Sequence, residues 1–248
     1  MRVDILGVGI DTLNRKETLN KALSYIKADE RKCKLIATPN PEVIMRARAD
    51  KDFAKVLDRA DLVIPDGVGV VLASKLGKQR LTETVTGCDL CFQILDNIKD
   101  MEGKKVYLLG AAPNVAELAK TKMEEKFPRL DICGVRNGYF GADEEEDIVA
   151  EINSLRPDVL LVGLGSPRQE KWIDKHKENL DVNLAIGCGG TIDVMAGTVK
   201  RAPIVFQRLG IEWFFRLISQ PSRFFRMLVL PKFVLVVVFE RVFSKKKV

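Results

Sequence analysis

Residues 159–170 read Val-Leu-Leu-Val-Gly-Leu-Gly-Ser-Pro-Arg-Gln-Glu. Four consecutive apolar residues run into a glycine turn, and the turn runs into a polar stretch with helical character. This is a strand, a tight turn and a helix N-terminus in twelve residues. The same order recurs along the chain. Short apolar runs at 3–6, 34–37, 62–64, 105–109, 130–135, 159–162 and 182–186 are expected strands. Stretches 42–49, 89–99, 114–126, 144–155 and 168–179 are expected helices. Strands alternating with helices predict an α/β fold, with a mostly parallel sheet covered by helices on both faces in a Rossmann-like manner. That domain is expected over residues 1–199, followed by a C-terminal amphipathic helical appendage over residues 200–248.

In such sheets ligands bind outside the carboxyl ends of the strands, so the residues that follow each strand matter most. They are Thr38-Pro-Asn40-Pro-Glu42, Pro65-Asp66-Gly67-Val-Gly69, Gly110-Ala-Ala-Pro113, Gly163-Leu-Gly165-Ser-Pro-Arg168-Gln169-Glu170 and Gly187-Cys-Gly189-Gly190-Thr-Ile-Asp193. Any one of them is an ordinary βα turn. Five helix N-termini on one edge suit a nucleotide or diphosphate, because unpaired N–H groups and the helix dipole favour negative charge there.

Composition and motifs exclude several chemistries. The chain has 248 residues with 46% hydrophobic and 30% charged, the balance of a globular protein with a sizeable core. A single histidine and no G-x-S-x-G elbow argue against a Ser-His-Asp hydrolase. There is no G-x-x-x-x-G-K-[ST], and neither Gly7-Val-Gly9 nor Gly163-Leu-Gly165 completes a dinucleotide fingerprint, which weakens an NAD-dependent oxidoreductase. The five cysteines are scattered, and Cys88-Asp-Leu-Cys91 has no second pair, so buried thiols are preferred to a structural zinc. Neither a cofactor nor a metal is expected. The acidic run 143–147 is read as the first turn of a solvated helix. If a general base is needed, Asp66 leads, since a strand delivers it to the edge between Pro65 and Gly67. Its rival role is to hydrogen-bond its own turn. Asp193 suits a ribose hydroxyl or a helix cap, and Arg168 with Gln169 suits a diphosphate.

Taken together, TPNPE at 38–42, PDGVG at 65–69, TGCDL at 86–90, LLGAAP at 108–113, VGLGSPRQEKW at 162–172 and GCGGTIDVMAG at 187–197 are a recognisable set. RAP at 201–203, GIEWFFRL at 210–217 and PSRFFR at 221–226 extend it. The chain resembles the bacterial WecG/TagA/CpsF glycosyltransferases, glycosyltransferase family 26, over nearly its whole length. Cys88 stands where the resemblance leads one to expect Ser.

The resemblance implies an inverting, metal-independent transfer of N-acetylmannosamine from UDP-ManNAc to the C4 hydroxyl of GlcNAc on undecaprenyl diphosphate. In one branch of the family this builds the linkage unit of wall teichoic acid. The alternative within the family is a UDP-N-acetylmannosaminuronate donor. It also implies Asp66 as base, Thr38 and Asn40 in the acceptor-sugar pocket, and Gln169 and Asp193 on the nucleotide side. Arg168, Gly165, Gly189 and Gly190 complete the expected UDP-sugar site.

The net charge of +6 divides unevenly. From Lys200 onward eleven Lys and Arg face two acids, while the remainder of the chain is slightly acidic; the same segment holds eight of the twelve Phe. Such a segment suits an anionic membrane surface. Drawn as one helix across 201–226, it places Arg201, Arg208, Arg216, Arg223 and Arg226 within about 80° of arc, with a kink expected at Pro221. Phe206, Leu209, Trp213, Leu217, Phe224 and Leu228 fall on the other side. The expectation is that Arg216, Arg223 and Arg226 reach the substrate diphosphates while the appendage docks on the bilayer and completes the active site. Self-association off the membrane would hide the exposed Phe and Leu. Nucleic acid is not an expected partner. No apolar run approaches the ~20 residues of a spanning helix, and the N-terminus lacks a signal-peptide core. The chain is therefore expected in the cytoplasm, attached peripherally to the inner face of the membrane.

Overall fold

The computed structural model describes residues 1–77, 79–208, 210–219 and 228–243. Its centre is a six-stranded sheet in which every neighbouring pair is parallel. The strands are β3 (Lys34–Ala37), β4 (Leu62–Val63), β5 (Lys105–Gly110), β6 (Asp131–Arg136), β7 (Val159–Gly163) and β8 (Leu184–Gly187), in the order β4-β3-β8-β7-β5-β6. Alternate residues serve opposite faces, as a pleated strand requires. Leu35, Tyr107, Leu109, Leu160, Val162 and Ala185 enter one core, and Ile36, Val106, Leu108, Leu161 and Ile186 the other. Both sets are buried, which is why these strands read as continuous apolar runs.

Helices cover both faces. On the first lie α2 (Pro41–Ala49), α3 (Lys51–Arg59), α4 (Val68–Lys75), α7 (Glu145–Leu155) and α8 (Arg168–His176). On the second lie α1 (Arg15–Ile26), α5 (Gly87–Ile98), α6 (Val115–Lys126) and α9 (Thr191–Ala196). Along the neighbours β3, β8, β7, β5 and β6, the helix that follows each strand leaves alternately to the first and second face. Chains that diverge in this way open a crevice at the carboxyl edge, and this topology places the cleft there.

The strand expected at 3–6 does not join this sheet. Arg2–Ile5 (β1) and Val8–Asp11 (β2) form a separate antiparallel hairpin, turned by Leu6 and Gly7 with φ of 55° and 88°. Two consecutive positive φ values are those of a tight hairpin turn, for which Gly7 is suited. Its end protects the sheet: Asp11 Oδ2 accepts a hydrogen bond from Val63 N on the edge strand β4 at 2.9 Å. The helices α1 and α3 are additions to the expected set, while α4 and α9 are the helices whose starts were expected after the Asp66 and Gly189-Gly190 turns. The signal for α1 was present, since Asn14 and Glu17 make a reciprocal capping box.

The appendage is not one helix through 201–226. It contains α10 (Ile204–Arg208), α11 (Glu212–Ser219) and α12 (Val229–Phe243). Gly210, at φ 70°, ends the first and seats against Val68, where an added Cβ would lie 3.0 Å from the valine Cβ. Arg201 leaves the expected basic arc altogether, because it precedes α10 and pairs with Asp89 on the body. Arg216 is carried on α11, whereas Leu209, Pro221, Arg223, Phe224 and Arg226 lie outside the described residues. The helix α12 packs on α2 and α4. Phe233 and Val237 are buried in the first core, and Arg48 pairs with Glu240. Leu228, Val234, Leu235, Val238 and Phe239 remain exposed. Among the described residues no helix is long and apolar enough to cross a membrane.

Candidate active site

A cleft of about 1070 Å³ runs along the carboxyl edge of the sheet. It is lined by Thr38, Asn40, Asp66, Gly165, Arg168, Gln169, Gly189, Gly190 and Asp193, so every body residue expected at the site reaches one cavity.

The β3 and β4 turns build one end. Asn40 caps α2 by accepting from Val43 N at 3.0 Å, with Pro41 at the first helical position. The Thr38 hydroxyl donates to the Gly187 carbonyl at 2.9 Å and so ties β3 to the β8 turn. Asp66 is held from both sides. Its N–H donates to the Pro39 carbonyl at 3.3 Å, while the Pro65 carbonyl accepts from Val85 N at 3.0 Å. Gly67 adopts φ 94° at the start of α4 and donates its N–H to the Thr84 hydroxyl at 3.0 Å. Close packing sets Asp66 beside Asn40: a Cβ on Gly69 would lie 2.9 Å from Pro41 Cγ.

The middle of the cleft is floored by backbone. A Cβ on Gly110 would lie 2.5 Å from the Gly163 carbonyl carbon, and a Cβ on Gly163 would lie 2.9 Å from the Gly189 carbonyl oxygen. The ends of β5, β7 and β8 therefore touch main chain to main chain, leaving their turns as a smooth concave surface. Gln169 joins two of them. Buried at 3% exposure, it accepts from Gly189 N at 3.0 Å and donates through Nε2 to Glu170 Oε1 at 2.8 Å.

Arg168 lines the cleft and is also engaged by the protein itself. Its guanidinium donates to the Gly138 and Phe140 carbonyls at 3.0 and 2.9 Å and stacks 4.5 Å from the Phe140 ring centroid. It straps the β6 loop, with the exposed Tyr139 at its tip, over the far end of the cleft. The acidic run is likewise more engaged than a solvated helix start. Glu144 lines the cleft and pairs with Arg136 at 2.9 Å; Glu145 contacts Lys175 and the buried His176 at 2.6 and 2.9 Å. Burial would raise the Glu145 carboxyl, but its bonds to Lys175 and His176 outweigh that and hold it below the usual range.

Glu42, Arg46 and Glu170 also line the cleft, and the sequence reading gave none of them a role there. Arg46 bonds Glu42 and the Ser166 carbonyl, both at 2.6 Å. The spacing of Glu42 and Arg46 on a helix was visible, but only the fold turns that face into the cleft. Around the lining stand Glu42, Asp66, Glu144, Glu170 and Asp193 against Arg46 and Arg168. Of the five cysteines, Cys88 and Cys133 are only partly buried. Cys33, Cys91 and Cys188 are free and buried, with burial pushing Cys33 up to about 12. Contact with Cys188 and burial together keep Cys91 protonated.

Comparison with known proteins shows the family to which the chain belongs. Residues 3–247 match the Glycosyl transferase WecG/TagA/CpsF family. An N-acetylglucosaminyldiphosphoundecaprenol N-acetyl-beta-D-mannosaminyltransferase of Bacillus subtilis (strain 168) is 38% identical over 207 residues, covering 83% of this chain and 79% of the relative. Enzymes of the same name from Bacillus spizizenii (strain W23) and Staphylococcus aureus (strain MW2) are 37% and 32% identical, covering 83% and 94% of this chain and 79% and 91% of those relatives. The chain belongs to the WecG/TagA/CpsF family and is a glycosyltransferase.

Proposed function

We propose that this glycosyltransferase moves N-acetylmannosamine from UDP-ManNAc to the C4 hydroxyl of GlcNAc-diphospho-undecaprenol, the step that builds a wall teichoic acid linkage unit. The carrying observation is the single cleft in which Asp66, Thr38 and Asn40 occupy one end and the Gly163 and Gly189 turns the middle. The relatives' names supply the sugar and the lipid.

Asp66 accepts the proton of the acceptor hydroxyl while its oxygen attacks the anomeric carbon, in one displacement that inverts the centre as UDP leaves. Negative charge then grows on the β-phosphate. The N-terminus of α9, whose first turn carries Asp193 beside the Gly189-Gly190 turn, offers N–H groups to it. The described lining carries five carboxylates against two arginines, and both arginines already bond protein partners. That balance favours an uncharged sugar over a uronate and calls for cations from outside the body. In this reading Arg216, Arg223 and Arg226 of the appendage supply them on the diphosphates, and the reaction proceeds without a metal. The seating of Gly210 on Val68, two residues from Asp66, supports an appendage that completes this end of the cleft.

The exposed apolar face of α12 and the exposed Trp213, Phe214 and Ile218 of α11 support peripheral docking on an anionic inner leaflet. Off the membrane the same surface would favour self-association. The test is transfer of radiolabel from UDP-ManNAc to a GlcNAc-diphospho-lipid, with UDP-N-acetylmannosaminuronate as the competing donor and a chelator arm. Label transfer from UDP-ManNAc that survives chelation is expected. Faster transfer from the uronate would move the enzyme to the other branch.

A further inference from the structure

Glu170 is a feature that the proposed reaction does not use. It follows Gln169 on the first turn of α8, lines the cleft, and is 2% exposed. One carboxyl oxygen, Oε1, accepts from Gln169 Nε2 at 2.8 Å. The carboxyl is otherwise met only by the neighbouring Ser166 hydroxyl, and neither Oε2 nor that hydroxyl makes a well-formed hydrogen bond. Burying a carboxyl that is fully satisfied at only one oxygen costs free energy that packing alone does not explain.

The bond that Glu170 does make supplies the reason. A glutamine amide rotates freely unless both ends are held, and the two ends of Gln169 are held by different groups. Glu170 takes the Nε2 end, which leaves Oε1 to accept from Gly189 N at 3.0 Å. Gly189 sits at φ 52° in the β8 turn that lines the cleft, and a Cβ on the neighbouring Gly187 would lie 2.8 Å from Gln169 Nε2. A chain of contacts therefore runs from Glu170 through Gln169 to the main chain of the Gly187–Gly190 turn. We propose that Glu170 is a positioning residue for donor binding: it locks the Gln169 amide and thereby presents the Gly189 turn to the nucleotide diphosphate.

Burial pushes the Glu170 carboxyl above the ordinary range. The bond from Gln169, the neighbouring Ser166 and the charge of Arg46 pull the other way without reversing it. The proposal rests on the reading of the cleft as a UDP-sugar site, so its test uses UDP itself as a probe, separately from sugar transfer.

Full-length protein and the variants Glu170→Met, Glu170→Gln and Gln169→Ala are compared by thermal melting, UDP calorimetry and donor kinetics. Glu170→Met keeps the volume and removes the acceptor. It leaves the buried Gln169 Nε2 without its acceptor, so it is expected to stay folded with a modestly lowered melting temperature while binding UDP about tenfold or more weakly, with the donor KM rising in step. Glu170→Gln, which keeps an acceptor for Nε2, is expected to remain within about threefold of the parent. The double variant Glu170→Met/Gln169→Ala should bind UDP no worse than the weaker single, because the two residues act in series. Unchanged UDP affinity in Glu170→Met overturns the proposal. So does a loss in Glu170→Gln as large as in Glu170→Met, or additive losses in the double variant. A parent protein that binds UDP but transfers no sugar would defeat the functional reading while leaving the binding series decisive.

Discussion

Replacing Gly110 by alanine should damage this protein twice over. At φ 140° an L-residue is strained, and the new methyl would stand 2.5 Å from both the carbonyl carbon and oxygen of Gly163, about 1 Å inside ordinary contact. Positive-φ strain costs about 1–3 kcal/mol, and forced overpacking of a tight site a further ~1–3 kcal/mol. Gly163 has no room to retreat, since its own α-carbon already faces the Gly189 carbonyl and Ile192. We therefore expect a loss of about 4 kcal/mol, a fall of roughly 8–16 °C in melting temperature for a chain of this size. Scanning calorimetry of Gly110→Ala measures it, with Gly103→Ala as control. Gly103 also has positive φ, at 73°, but a methyl there meets nothing within 4 Å, so it reports strain without collision. A Gly110→Ala melt within about 2 °C of the parent, or no lower than the control, would refute the reasoning.

Asp66→Asn should lower turnover by about 10²–10⁴-fold and leave UDP affinity intact, if the carboxylate is the base; single-turnover kinetics beside UDP calorimetry decide it. Deleting 201–248 should release the protein from anionic vesicles and abolish transfer, and co-sedimentation that persists would contradict the role given to the appendage. Arg168→Ala should loosen the 138–140 loop, seen as faster amide exchange there and a higher donor KM; unchanged protection would show that the strap is ornamental. Burial would raise Asp61, but its bonds to Lys177, Leu35 N and Lys34 hold it below the usual carboxylate value. A carboxyl depressed in the native state adds stability above its unfolded pKa of about 3.9, and that stability is lost as pH falls through the native value. The melting temperature of the parent should accordingly drop more steeply than that of Asp61→Asn on acidification below about pH 4, and parallel curves would exclude the linkage.

The local code of this chain was strong where the physics is local. Apolar runs of four to six residues ending in glycine specify strands and turns, and caps such as Asn40-Pro41 specify helix starts, because each depends on neighbours a few residues away. From these alone followed the parallel sheet and the carboxyl edge along which the cleft runs, while the roles of Thr38, Asn40 and Gln169 were implied by the family resemblance. The hairpin at 2–11 was not legible in the same way, since a four-residue apolar run is equally a sheet strand or half of a ribbon until its partner is known. The appendage divides at Gly210 because that residue packs on Val68, more than 140 positions away in the chain. Roles were hardest of all to read. Arg168 looks like a phosphate ligand by its place after a glycine turn, and only the fold brings it the Gly138 and Phe140 carbonyls. Glu170 looks like the next polar residue of a helix, and only burial beneath the cleft makes it a buried acid holding Gln169. Sequence settles which chemistry each turn can offer, because side-chain type and backbone bias are carried by the residue itself. Which groups remain available to a ligand is decided by tertiary structure, because a donor or acceptor is spent by whatever distant atom the fold sets within 3 Å of it.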